Sequence, residues 1–203
     1  MMMERVTVLI MGKEKAAGII RIITVPPVMA LILFVVLFRF KDNVFVRTSD
    51  FVAGTLLLVI VPVLAYPLQM VIPSLRKEGR DGQRKLAFII SLLSYTGMLL
   101  YGIMEQVSRN MFILCLTYFL TVLLLTICNK LLHIKASGHA ASCTSPLVFF
   151  VYYFSWPLLL PCLFVFLVIL WASRTTKRHT NQEFLIGAFL CILSFLISIG
   201  LTS

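Results

Sequence analysis

The sequence predicts an all-α protein, a polytopic transmembrane helix bundle of six to seven spans. Three observations predict it. Sixty per cent of the 203 residues are hydrophobic and 13% are charged, with a mean hydropathy of +1.01; a soluble domain is about half apolar and about a quarter charged. This much apolar surface cannot be hidden in one aqueous core, which excludes a soluble globular enzyme. The apolar residues also fall in runs near the ~20 residues that cross a bilayer, separated by short polar loops. Finally, the formal charge is +10, from 18 Lys and Arg against 8 Asp and Glu. In a membrane protein such an excess belongs in loops and helix ends, and no nucleic-acid partner is needed to explain it.

The first span is expected over residues 19–38, interrupted only by Arg21, after a polar lead-in carrying Arg5, Lys13 and Lys15. It is too long for a signal-peptide core and no A-x-A-like site follows it, so it reads as a span that stays. The second covers 51–72 and is apolar apart from Gln69; the third covers 86–104, the fourth 111–128 and the last 184–201. Between the fourth and the last, residues 140–172 carry no charge. Thirty-three residues make ~50 Å of helix, against a bilayer core of about 30 Å. Ser155-Trp156-Pro157 offers a break, because proline ends or kinks a helix and its predecessor avoids the helical region. A hairpin of two short spans is the expectation. It puts three polar loops on one side: 73–85, 129–138 and 173–183. The five cysteines form no C-x-x-C pair and read as small buried hydrophobes. With no internal repeat or linker, residues 1–203 form a single membrane domain.

Those three loops hold the polar chemistry. The first, 74–85, has five cations and two anions. It is either an ordinary cytoplasmic loop beside anionic headgroups or a grip on phosphate, for which Lys supplies a compact charge and Arg a planar fork. The second contains Lys135, Ser137, Gly138 and His139 ahead of an apolar helix. Ser137 can cap that helix, Gly138 admits a close ligand, and the first helix amides form an anion site. Lys135 adds positive charge, and His139 adds an imidazole, a group able to take or give a proton near neutral pH. The third loop opens the last span. There His179 and Glu183, at i and i+4, would share a helix face, so that the carboxylate holds one imidazole nitrogen and frees the other to attack. Two histidines among Lys and Arg on one side suggest phosphoryl transfer: one imidazole attacks phosphorus, the other protonates the leaving oxygen, and cations and amides stabilise the equatorial oxygens. Neither metal nor cofactor is called for. His133, His139 and His179 lack ligand spacing, and the acids that Mg²⁺ prefers are scarce.

These residues resemble the type 2 phosphatidic acid phosphatase superfamily of integral membrane lipid phosphatases. Its three motifs run roughly K-x6-R-P, P-S-G-H and S-R-x5-H-x3-D. Lys77 and Arg84 match the first, with Lys85 in place of Pro; Ser137-Gly138-His139 match the second, after Ala136 rather than Pro; Ser173-Arg174, His179 and Glu183 match the third, with one residue fewer between Arg and His and with Glu for Asp. The resemblance spans residues 74–187 and is that of a divergent member. It implies that His179 is the nucleophile, Glu183 its partner and His139 the general acid. It further implies that Lys77, Arg84, Ser137, Gly138 and Arg174 hold phosphate, joined by Lys135 from the charge reading.

The expected function is a metal-independent hydrolase that removes phosphate from a lipid phosphate or prenyl diphosphate through a phosphohistidine intermediate, with membrane lipids as its surroundings. The alternative is a non-catalytic protein of the same fold that binds anionic lipid. A channel or transporter is disfavoured because the spans hold almost no ionisable residue. Under seven spans, four of the eighteen Lys and Arg (Arg39, Lys41, Arg47 and Arg109) lie opposite the polar loops and fourteen lie on their side. The positive-inside rule then puts the loops at the cytoplasmic face of a plasma (inner) membrane.

Overall fold

The computed structural model describes residues 2–176 and 180–203, with side chains described from residue 12 onward except that of Arg80. The uncharged stretch doubles back. α9 (Gly138–Phe154) stops at Ser155, whose φ of 83° takes the chain out of the helix. A single 3₁₀ turn, Trp156–Leu158, leads into α10 (Leu159–Thr175). Ala140 and Cys143, at the start of α9, share a buried cluster with Ile169, near the end of α10, so the two helices are antiparallel. Pro161 falls in the first turn of α10, where no intrahelical N–H bond is lost.

The first expected span is instead two helices. α1 (Met2–Ile23) and α2 (Pro26–Phe40) meet at a 50° bend around Thr24 and Val25. The cause is local: Pro26 and Pro27 open α2, and neither can donate a backbone hydrogen bond to the preceding turn. The residues before the expected span are thus helical as well. The second span starts as α3 (Thr48–Thr55), passes through a π-type turn at Leu56–Ile60, and continues in two short helices, α4 (Val61–Val63) and α5 (Ala65–Val71). Pro62 removes a ladder bond there, and the π turn absorbs the change of register. A short α6 (Pro73–Lys77) precedes α7 (Arg80–Met104), which begins six residues before the expected third span. α8 (Arg109–Thr126) runs on through a π turn at Ile127–Leu131, and α11 (Asn181–Leu201) closes the order.

All regular structure among the described residues is helical. Five helical stretches are long and apolar enough to cross a bilayer: Thr48–Val71, Asp81–Met104, Arg109–Leu131, Trp156–Thr175 and Asn181–Leu201; the bent α1–α2 pair makes a sixth if it counts as one span. At 17 residues, α9 is shorter than any of these. α11 packs between α8 and α9, α7 lies on α8, α2 on α9 and α1 on α10. Lipid tails are as apolar as leucine, so helices in a bilayer associate through close packing rather than water exclusion. The interior reflects this: Phe149 is fully buried, with its ring 5.5 Å from Phe195, 5.8 Å from Tyr153 and 6.3 Å from Tyr118. The outside is a belt of bare apolar side chains, including Ile22, Met70, Val71, Met104, Leu160 and Phe164. A surface of this kind suits lipid and not water. Spans and belt together are those of an integral membrane protein.

One end of the bundle is closed by a polar clasp. Asp50 is buried and accepts hydrogen bonds from the Arg47 guanidinium at 2.9 Å and from the Tyr101 hydroxyl at 3.0 Å. Arg47 also reaches Glu105 Oε2 at 2.8 Å and the Glu105 carbonyl at 3.1 Å. Its hydrogen bonds to Asp50 first, and to Glu105 second, push the guanidinium pKa above its ordinary value. Nearby, Ser108 Oγ donates to the Val44 carbonyl, Tyr153 Oη to the Asn110 carbonyl, and Arg109 Nε to the Thr202 carbonyl. Four separate stretches of chain therefore meet at this end. Replacing Asp50 with Ala strands Tyr101 and half of the Arg47 fork, and is expected to cost about 1–3 kcal/mol. Glu105→Gln loosens only an exposed pair and should cost under ~1 kcal/mol. Thermal unfolding of the two variants in detergent checks the order.

Candidate functional site

At the opposite end, backbone hydrogen bonds tie the polar loops together. Ser137 caps α9, its Oγ accepting from the Ala140 N–H at 3.2 Å, and its own N–H donates to the Glu183 carbonyl at 2.9 Å. The loop after α8 is thereby pinned to the first turn of α11. Asn129 holds it from the other side: its Nδ2 donates to the Ala136 carbonyl and its Oδ1 accepts from the Ala136 N–H, both at 3.2 Å. Gly187 makes this contact possible, because a Cβ there would run into the Ser137 carbonyl oxygen. Across the bundle the buried Gln69 donates to the carbonyls of Leu75 (3.1 Å) and Gly79 (3.2 Å), which anchors α6 and the entry to α7. Arg21, near the end of α1, donates to Thr176 Oγ1 at 2.9 Å.

These ties surround one cavity of about 850 Å³. Arg21, Asp81, Arg84, Lys135, His139 and Glu183 line it at this end, each within a turn or so of a helix terminus. Deeper, the wall is apolar, with Ala30, Leu58, Val59, Val122 and Leu125, and is interrupted by the hydroxyls of Tyr118, Thr121 and Ser145. Gly138 and His139 open α9 at the mouth, where the positive end of a helix favours an anion. A Cβ on Gly138 would meet only the Phe88 ring edge, at 3.9 Å, so the space before that backbone is open. The His139 ring lies 3.8 Å (Nε2) and 4.0 Å (Nδ1) from Cys143 Sγ, one turn along α9. That thiol also contacts the Thr24 carbonyl, at 3.1 Å, in the α1–α2 bend. Among the described residues no three His, Cys, Asp or Glu side chains come together as a metal-binding group.

Of the nine residues singled out from the sequence, five line the cavity: Arg84, Lys135, Gly138, His139 and Glu183. Ser137 is buried beneath it as the helix cap. Lys77 is not on the cavity wall. The loop expected over 73–85 is mostly helical; Lys77 and Arg84 are both exposed, but Lys77 ends α6 off the cavity while Arg84, in the first turns of α7, lines its open end. Arg174 is also elsewhere: α10 continues past it to Thr175, and it lies exposed beside Trp171 on a separate shallow groove. His179, with Lys177 and Arg178, lies outside the described residues. The i, i+4 pairing expected for His179 and Glu183 therefore lies outside the described residues on the histidine's side, while α11 begins at Asn181. Glu183 is the third residue of a capping box. Its N–H donates to Thr180 Oγ1 at 3.2 Å, and its carboxylate accepts from the Thr180 N–H at 3.4 Å.

Sequence reasoning missed Arg21, whose signal was a cation within an apolar run, and Gly187, which had none. It also missed the three deep hydroxyls. Comparison of the chain with protein-family models, with curated proteins and with solved structures finds no match.

Gly187→Ala should separate α11 from the Ser137 loop, with an overpacking cost of about 1–3 kcal/mol. A thermal scan in detergent reads this directly, and an unchanged midpoint would show that the loop yields freely.

Proposed function

We propose that the protein is a metal-independent membrane lipid phosphatase that hydrolyses a phosphate or diphosphate from a lipid or polyprenyl substrate. The observation that supports this most is the two-zone cavity: cations, a histidine and a carboxylate at one end, and an apolar shaft below. An anionic headgroup on an apolar tail has that shape. Arg84, Lys135 and Arg21 face the headgroup charge, and the α9 terminus adds its dipole. His179 attacks phosphorus and forms a P–N bond as the P–O bond to the lipid breaks, while His139 gives its proton to the departing oxygen. Water, deprotonated by the same imidazole, then attacks phosphorus and the P–N bond breaks, releasing inorganic phosphate. Glu183 holds the nucleophile's other nitrogen.

In this reading α9 counts as a short seventh crossing, and the cavity opens toward the cytoplasm. The far end carries Arg39, Lys41, Arg47 and Arg109, against fourteen cations on the cavity side; the membrane is a plasma (inner) membrane. A second reading, an anionic-lipid-binding protein without turnover, draws support from Lys77 and Arg174, which lie off the cavity wall.

Purified protein is expected to release phosphate from phosphatidic acid, phosphatidylglycerol phosphate or a prenyl diphosphate in EDTA. His179→Ala and His139→Asn should each lower the rate ~10²–10⁴-fold. Loss of activity in EDTA, or activity that survives His179→Ala, contradicts the mechanism, and trapped phosphoenzyme after rapid quench excludes the binding-only reading. Arg84→Ala should depress kcat/KM strongly, whereas Lys77→Ala and Arg174→Ala, as surface changes, should alter it by no more than about threefold. A steady-state comparison of the three decides whether the motif positions or the cavity wall identify the phosphate grip.

A further inference from the structure

The lower part of the cavity contains polar atoms that a purely hydrocarbon ligand does not need. Tyr118 Oη, Thr121 Oγ1 and Ser145 Oγ are buried, with residue exposures of 5%, 7% and 2%; none has a partner in full hydrogen-bonding geometry among the described residues, their nearest polar company being each other (Tyr118 with Ser145) and the Cys191 thiol beside Thr121 and Ser145, a weak partner. All three residues line the cavity. Hydroxyls in an apolar helix ordinarily bond back to the carbonyl one turn earlier. Neighbours here do so: Thr126 and Thr144 at 2.7 and 2.8 Å, and Ser194 and Ser198 at 2.7 Å each. Thr121 and Ser145, on the same α8 and α9 as Thr126 and Thr144, do not. Thr55, Thr117 and Ser173 are also without a partner, but they are not on the cavity wall, so the feature that distinguishes the trio is its shared outlook.

We propose that Tyr118, Thr121 and Ser145 form a second polar subsite that donates hydrogen bonds to the ester carbonyl oxygens of a diacylglycerol phosphate. The proposal rests on the lipid-phosphate reading and narrows it to glycerolipids. The depth is right for this. Ser145 is six residues along α9 from His139, ~9 Å of helix, and Thr121 faces it from α8, eight residues before Asn129. A diacyl lipid whose phosphate meets His139 carries its carbonyls at the top of the tails, at about that level. A polyprenyl chain has no acceptor there and would leave the three buried hydroxyls with only each other and the Cys191 thiol for company, which costs binding free energy relative to a ligand that accepts from them. Specificity of this kind comes from polar groups that the wrong ligand strands.

The test is calorimetric titration of the detergent-solubilised full chain with dioctanoyl phosphatidic acid and with its dialkyl ether analogue, which keeps the phosphate and tails and lacks both carbonyls. The diester is expected to bind about tenfold tighter, equivalent to about 1.4 kcal/mol. That preference should shrink in Ser145→Ala and vanish when Tyr118→Phe and Thr121→Val are added, with the ether's affinity unchanged. Equal affinities in the unaltered protein overturn the subsite, with no variant needed. So does a preference that survives the combined substitution, or failure of both lipids to bind. A carbonyl-dependent preference without phosphate release supports the subsite and sinks the phosphatase reading, which keeps the two failures apart.

Discussion

A chain of 33 uncharged residues cannot stay straight across a bilayer, and the turn at Ser155 determines what its ends can do together. Since α9 and α10 are antiparallel, the loop before α9 and the loop after α10 return to the same end of the bundle. The Ser137 N–H can then reach the Glu183 carbonyl, and His139 and Glu183 can line one cavity. A continuous rod would have carried Glu183 to the far end, and neither contact would exist. The turn needs little: a serine with positive φ and one 3₁₀ turn, Trp156–Leu158, with Pro157 as its second residue.

The two ends of the bundle treat charge differently. At the far end Arg47 is surrounded by acceptors, from Asp50, Glu105 and the backbone, and its role is to join elements. At the cavity end Arg21 and Arg84 come from separate helices and Lys135 from the loop before α9, and among the described residues they share one void with His139, Asp81 and Glu183. The scaffold beneath them is made of backbone carbonyls held by side-chain amides, the buried Gln69 on one side and the half-buried Asn129 on the other. Such amides satisfy the loop backbone without adding charge, and the electrostatics of the mouth are left to the side chains that line it.

Much of the architecture was legible because membrane insertion is a strong constraint: long apolar runs must be helices, and an overlong one must fold back. Less legible were the places where proline acts. Pro26-Pro27 splits the first span, and Pro62 lies where the second passes through a π turn; both changes depend on how neighbouring helices absorb a lost hydrogen bond. The site was legible in part. Arg84, Lys135, Gly138, His139 and Glu183 share a cavity because each lies at a helix end that the loop count had put on one side. Lys77 and Arg174 show the limit of spacing. A motif read along the chain does not reveal where a helix resumes, and α7 starting at Arg80 and α10 running to Thr175 turn those two outward. The deep hydroxyls are ordinary residues for a membrane helix, and only the void beside them makes them distinctive.

The Arg109–Thr202 contact has a practical consequence. α11 begins at the cavity mouth, beside Ser137, and finishes at the clasped end, where Arg109 Nε holds the Thr202 carbonyl at 2.6 Å. The two extremities of this one helix are therefore markers for opposite ends of the bundle. A label attached near Thr202 sits at the end away from the cavity mouth, so an accessibility measurement in sealed vesicles reads which compartment that end faces.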